Sequence, residues 1–248
     1  MTRIPAAIER AFDDISAPSS GEEASETLQR LASVSRRAFF GGTLAAVPAT
    51  IMASASTAQA ASSNLLGTNI RTAANKRYFQ EIQGNEFSHL QIILAAIRSL
   101  GGTPRPYPTF RGLITSDPTT LLKIGATSCN TGASAYFGAS PYIFNPNVRA
   151  VGTSLGLVEA YQSGFLNTLQ QQPLIPGGQT TAVPLAPAQI DPIVAPYIVS
   201  LNDNGQFPAT FSTTPSPEND IAILNFALIL EYLESTLYGN SVNRVFGA

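Results

Sequence analysis

The chain is short of histidine, cysteine and charge. Among its 248 residues there is one His (His89), one Cys (Cys129) and only 12% Asp, Glu, Lys and Arg. A single cysteine excludes an intramolecular disulfide framework and a zinc site built on cysteines. A single histidine excludes any metal site that needs two, and leaves no Ser-His-Asp triad elsewhere in the chain. The charged share is about half the ordinary one, and with 44% hydrophobic residues it argues against a disordered, charge-solvated chain. A net charge of −2 and a pI near 5.4 offer no basic surplus to neutralise phosphates, so no nucleic-acid partner is expected. Internal repeats and nucleotide-binding glycine motifs are also missing.

What is present begins with an address. Ser35-Arg36-Arg37-Ala38-Phe39-Phe40-Gly41 precedes a weakly apolar run from Phe39 to Ala55, and Ala58-Gln59-Ala60 has the small-x-small pattern of a signal peptidase site. Paired arginines ahead of a modest apolar stretch resemble the twin-arginine export signal. The run holds Gly41, Gly42, Pro48 and several Ser and Thr residues, too polar for a typical span of about 20 apolar residues. The expectation is a leader over 1–60, cleavage after Ala60, a folded domain over 61–248 in the periplasm or outside the cell, and no stable membrane insertion afterwards. An anchored form keeping Phe39–Ala55 is the alternative. A single cysteine suits folding in a reducing cytoplasm before export.

Four segments of the remaining chain have helical character: about 69–100, 118–139, 146–172 and 217–238. The first ends at Gly101-Gly102 ahead of Pro104, Pro106 and Pro108, and the second starts after the Ser116-Asp117 cap signal. Glu218, Asn219 and Asp220 crowd the start of the last, where the helix dipole favours negative charge. Pro173–Ser216 is rich in Pro, Gly, Thr and Gln and reads as an extended connection with short strands such as Ile193–Leu201. Helices with apolar stripes must bury them against each other, so an all-α helix bundle is the expected architecture.

With so few charges, carboxylates on apolar stripes carry information. Ile82, Glu86, His89, Ile93 and Ala96 share one stripe at helical spacing, and Leu155, Glu159, Gln162, Leu166 and Leu169 share another. Glu86 and His89 stand about 60° apart around the helix axis and face the same way. A dimetal carboxylate site uses this Glu-x-x-His spacing on two helices, with one further Glu from each of the other two. On the last helix Leu224, Leu228, Glu231, Glu234 and Tyr238 cluster similarly. A carboxylate after a long apolar run is costly to bury unless something pairs it. The competing reading puts Glu231 and Glu234 on an exposed edge.

These segments resemble the exported ferritin-like domain family that includes the desiccation-related proteins. "ILNFALILEYLESTLY" is similar to that family's first helix, "NEFSHLQIILAAIRSLGGTPRP" to its second, "TGASAYFGAS" to its third and "VGTSLGLVEAYQSGFLNTL" to its fourth. The resemblance implies a ferritin-like four-helix bundle with a long Pro/Gly-rich connection. Its first helix stands last here, which implies circular permutation or a helix exchanged between protomers.

By position, the resemblance gives Glu231 the first-helix ligand place, Glu86 and His89 the second, and Glu159 the fourth. The third-helix Glu falls on Cys129, and Gln162 stands where the family has His. Glu234 is a further candidate carboxylate, and Cys129 is either a thiolate ligand or a small buried filler. The ligand set Glu86, His89, Glu159, Glu231 and Glu234 suits Fe, Mn or Zn, one or two ions. A stress- or desiccation-related role is implied by the resemblance alone. The alternative is a non-catalytic structural or interaction protein of the cell envelope, its buried acids satisfied by hydrogen bonds to His89, Gln162, Tyr136 or Tyr238. Enzymatic activity and homo-oligomerisation are both left open.

Overall fold

The computed structural model describes residues 70–203 and 209–247. The arginine pair, the Phe39–Ala55 run, the Ala58-Gln59-Ala60 site and the expected helix start at Asn69 lie outside the described residues.

Four long helices form where the sequence carries stripes, and each opens on a capping residue. Helix α1 (Ala73–Ser99) is capped by Thr72, whose hydroxyl accepts from Asn75 N–H at 3.1 Å. Gly101, at φ 75°, turns the chain out of it, a conformation that an L side chain resists. The Pro-rich stretch that follows contributes strand β1 (Thr109–Phe110). Asp117 caps α2 (Pro118–Ala139) through Thr119 N–H and Thr120 N–H, as its sequence suggests. Asn145 caps α3 (Pro146–Leu169). The connection after α3 holds a short helix α4 (Pro187–Val194) and strand β2 (Ile198–Ser200), which pairs antiparallel with β1. Ser216 caps the last helix, α5 (Pro217–Phe246).

The long helices make a square. Helix α1 packs on α5, α5 on α2 and α2 on α3, so α3 lies diagonal to α5 and touches α1 only lightly. The main neighbours of the last helix are therefore α1 and α2. The core runs through all four helices, with Phe79, Leu90, Ile93, Leu121, Leu155, Leu166, Leu228 and Leu237 buried.

Helix α5 extends eight residues beyond the expected end at Tyr238, and it is buried almost all round. It is long and apolar enough to cross a membrane, yet 83% of its most apolar window is inside the bundle. Its first turn does more than complement a dipole. Asp220 accepts from Phe144 N–H at 2.7 Å and Asn145 N–H at 2.8 Å, and Asn219 bonds to both Ser212 and Tyr142 O. These buried polar side chains fasten α5 to the start of α3 and to the loop before α5. Two other ties clamp the Pro-rich stretch onto α5: Tyr107 OH meets Thr236, and the Tyr107 and Tyr232 rings sit edge to face at 5.0 Å.

Helix α2, weak by sequence because of its Gly, Ser and Thr content, is weak for a spatial reason. Small residues let other parts of the molecule come close. A Cβ on Gly132 would stand 3.1 Å from Glu159 Oε2, and one on Gly125 would crowd the Tyr238 hydroxyl. At Gly138 a Cβ would overlap the carbonyl oxygen of Leu185, in the connection that bonds back to α2 through Leu185 N–H to Ser134 O at 3.0 Å. Because the obstacle is backbone, Gly138→Ala should lower stability by about 1–3 kcal/mol, the usual cost of overpacking. Thermal denaturation checks this, and an unchanged midpoint would show that the connection yields freely.

Candidate metal centre

The stripes do what their spacing requires. Glu86 and His89 project from α1, Glu159 and Gln162 from α3, and Glu231 and Glu234 from α5, all with at most 5% exposure. Around one atom, His89 Nδ1, three carboxylates converge: Glu159 Oε1 at 3.2 Å, Glu86 Oε2 at 3.5 Å and Glu231 Oε2 at 3.5 Å. The donor atoms of these four residues lie within 4.8 Å of one another. Glu159 and Glu231 reach each other's neighbourhood across the diagonal of the bundle, so the cluster occupies its centre. The exposed-edge reading of Glu231 and Glu234 fails because α5 is wrapped by α1, α2 and loops. Glu234 does not join the His89 cluster; it groups instead with Cys129 and Glu159.

The electrostatics follow from burial. Burial, then the negative charge of Glu159, holds the Glu86 carboxyl well above the usual carboxylate range. Glu159 is pushed up to about 7, chiefly by burial, despite the nearby imidazole. Burial, then Glu159 and Glu86, raises Glu234 strongly. For His89 burial opposes the charged form, but Glu231, Glu159 and Glu86 outweigh it and the imidazolium is favoured. Burial, reinforced by Glu159 and Glu234, also pushes the Cys129 thiol up.

Hydrogen bonding does not satisfy this group. Tyr136 OH donates to Glu231 Oε1, and Cys129 Sγ approaches Gln162 Oε1 at 3.4 Å and Tyr238 OH at 3.5 Å. Yet both oxygens of Glu86, Glu159 and Glu234 lack a hydrogen-bond partner, as do Glu231 Oε2, His89 Nδ1 and Gln162 Nε2. The hydroxyl of Ser128 donates at 3.1 Å to Gly125 O. Buried polar atoms are normally paired, since leaving one unpaired costs about 1–3 kcal/mol. The carboxylate oxygens and His89 Nδ1 among these atoms form one contiguous set of potential ligands.

A cation fits that set. Donors about 2.0–2.2 Å from a shared ion stand roughly 3.0–3.5 Å apart, which is the spacing of the His89 nitrogen and its three carboxylate neighbours. Three carboxylates and an imidazole are an oxygen- and nitrogen-rich set suited to Fe, Mn or Zn. Because the ligands must be deprotonated, bound metal would compete with the protons that burial favours.

Sequence reasoning missed a second polar network. Asn130 on α2 bonds Ser163 and Asn167 on α3, and Asn167 Nδ2 reaches Leu174 O at 3.1 Å. Its role is to hold α2, α3 and the start of the connection together. Apart from the position of Asn130 beside Cys129, nothing in the sequence pattern points to it.

Comparison with known proteins agrees with this architecture. A model of a family described as "Ferritin-like domain" matches residues 38–172, a range that includes α1, α2 and α3, begins within the segment read as an export signal, and stops before α5. No curated protein and no solved structure matches the chain. A helix bundle built around buried carboxylates, and a family match over more than half of the sequence, lead to one conclusion: the chain belongs to the ferritin-like domain family.

Proposed function

We propose that this is an exported metal-binding protein of the ferritin-like class, holding an Fe, Mn or Zn ion among Glu86, His89, Glu159 and Glu231. The observation that carries the reading is the set of orphaned buried donors around His89 Nδ1. The alternative, a metal-free polar core, would need those acids to be satisfied by His89, Gln162, Tyr136 and Tyr238. Of these, Tyr136 hydrogen-bonds Glu231 and His89 Nδ1 faces three carboxylates at 3.2–3.5 Å, which one imidazole nitrogen cannot satisfy together.

When bound, the ion would supply Lewis acidity and, as iron or manganese, a redox couple. The chain's own residues position the donors. Glu86 and His89 are held one helical turn apart, Tyr136 fixes one oxygen of Glu231, and Gly132 leaves the room that Glu159 fills. The bundle keeps bulk water from all of them.

Helix α5 is read as occupying the place of the helix that opens the family's bundle. Support comes from Glu231, which reaches the Glu86–His89 pair, and from the packing of α5 on α1. The Arg36-Arg37 pair and the Ala58-Gln59-Ala60 pattern support twin-arginine export of a domain starting at residue 61, and the sequence resemblance supports a stress- or desiccation-related role.

The test is elemental analysis of protein purified from cells supplied with iron, manganese and zinc. At least one equivalent of one metal per chain is expected in the wild type, lost in a Glu86→Ala/His89→Ala double variant. Metal below a tenth of an equivalent in every preparation would contradict the proposal.

A further inference from the structure

Glu159 belongs to two groups of donors. Besides the His89 cluster, its carboxylate lies within 4.8 Å of a donor atom on each of Cys129 and Glu234, and those two are as close to each other. We propose that this second group binds a divalent cation of its own, ligated by the Cys129 thiolate, Glu234 and a bridging Glu159. The centre would then be asymmetric: one position ringed by imidazole and carboxylates, the other carrying sulfur and suited to zinc. This rests on the metal reading above, because Glu159 is shared.

Three arguments separate Cys129 from a mere filler. Glu234 is 1% exposed and neither of its oxygens has a hydrogen-bond partner, an expense that a filler cysteine alone would not explain. Next, the thiolate would have one donor at hand and a second after an amide flip. Tyr238 OH lies 3.5 Å from Sγ, and Gln162 Oε1 lies 3.4 Å away while Gln162 Nε2 has no partner. Turned end for end, the Gln162 amide would give Nε2–H to the thiolate, with Oε1 taking the place that Nε2 now occupies.

The third is charge. A thiolate and two carboxylates without a cation would be an uncompensated buried cluster, whereas one divalent ion offsets most of it. Ligation is a simple exchange: the S–H bond breaks, the sulfur lone pair binds the cation, and the proton passes to solvent, with no redox change. Three protein ligands leave a fourth position for water, as in open zinc sites. Thiolate selects zinc and cobalt over manganese and magnesium.

Cobalt(II) is the probe, since it replaces zinc and its thiolate complexes absorb in the near ultraviolet by sulfur-to-cobalt charge transfer. Titrated into metal-free protein, it should bind at two equivalents per chain and produce that absorption. In Cys129→Ser, which keeps size and fold, the absorption should vanish and one equivalent should remain. If cobalt stops at one equivalent without the absorption, and that equivalent survives Cys129→Ser but not His89→Ala, this proposal falls while the His89 site stands. No cobalt bound to any variant would overturn both. Circular dichroism of each variant guards against reading an unfolded chain as an empty site.

Discussion

Adding Zn(II), Mn(II) or Fe(II) to the metal-free protein should raise its melting temperature by about 5–11 °C. A ligand that binds only the folded chain contributes about 2.7 kcal/mol at a hundred times its dissociation constant. For a domain of this size each kcal/mol moves the midpoint by roughly 2–4 °C. The shift has a structural cause: the unfolded chain scatters α1, α3 and α5, and only their packing brings Glu86, His89, Glu159 and Glu231 together. Differential scanning calorimetry with and without metal, and with EDTA, reads the effect. The increment should grow between pH 5 and pH 8, because metal must displace protons from carboxylates that burial holds in their acid form. A midpoint that ignores all three metals at millimolar concentration would contradict the metal reading.

His89→Ala should cost the metal-free protein about 3–5 kcal/mol at pH 8, the usual penalty for leaving a buried charge without its partner. At pH 5 the loss should be clearly smaller. In the wild type, Glu159 rises from an ordinary value of 4.5 to about 7, so its contribution is full below 4.5 and is lost as pH climbs toward 7. His89 is also raised, from 6.5, so its contribution is full below 6.5 and declines as pH rises beyond that. Both make metal-free stability fall with increasing pH. Without the imidazolium, the fold must take up a further proton at the carboxylates, and that uptake costs more at higher pH. Urea denaturation of wild type and His89→Ala at pH 5, 6.5 and 8 measures the difference. Equal losses at all three pH values would show that the imidazole is packing material, with no electrostatic tie to the acids.

Much of this site was legible before any coordinates. The Ile82–Ala96 stripe placed Glu86 and His89 in the core, and the apolar run ahead of Glu231 marked it as a carboxylate needing a partner. Caps at Asp117 and the Gly101-Gly102 stop located helix ends because those residues act through local geometry. Other features depend on what lies across the fold. The two sides of α5 differ little in polarity, so its pattern does not say that every side is covered, nor that Glu231 and Glu234 serve different groups. Composition makes α2 look poor as a helix; only the approach of Glu159 and Tyr238 explains Gly132 and Gly125. Helix α4 is eight residues long and contains Pro192, too short and too broken to show a period. The paired Asn219 and Asp220 read as a dipole complement, although their partners Ser212, Tyr142, Phe144 and Asn145 give them a second duty.

The chain's scarcity of histidine therefore has a definite meaning. Its one imidazole stands where three carboxylates meet, and Gln162 lies 3.4 Å from the thiol of Cys129. The protein retains an acid-rich core that hydrogen bonds alone leave unsatisfied.

The most direct test is anomalous X-ray diffraction from crystals grown with the metal that the protein retains on purification. The expected result is an anomalous peak at that element's absorption edge, about 2.0–2.2 Å from donor atoms of Glu86, His89, Glu159 and Glu231. A core without such a peak, its carboxylates hydrogen-bonded to one another through shared protons, would contradict the account.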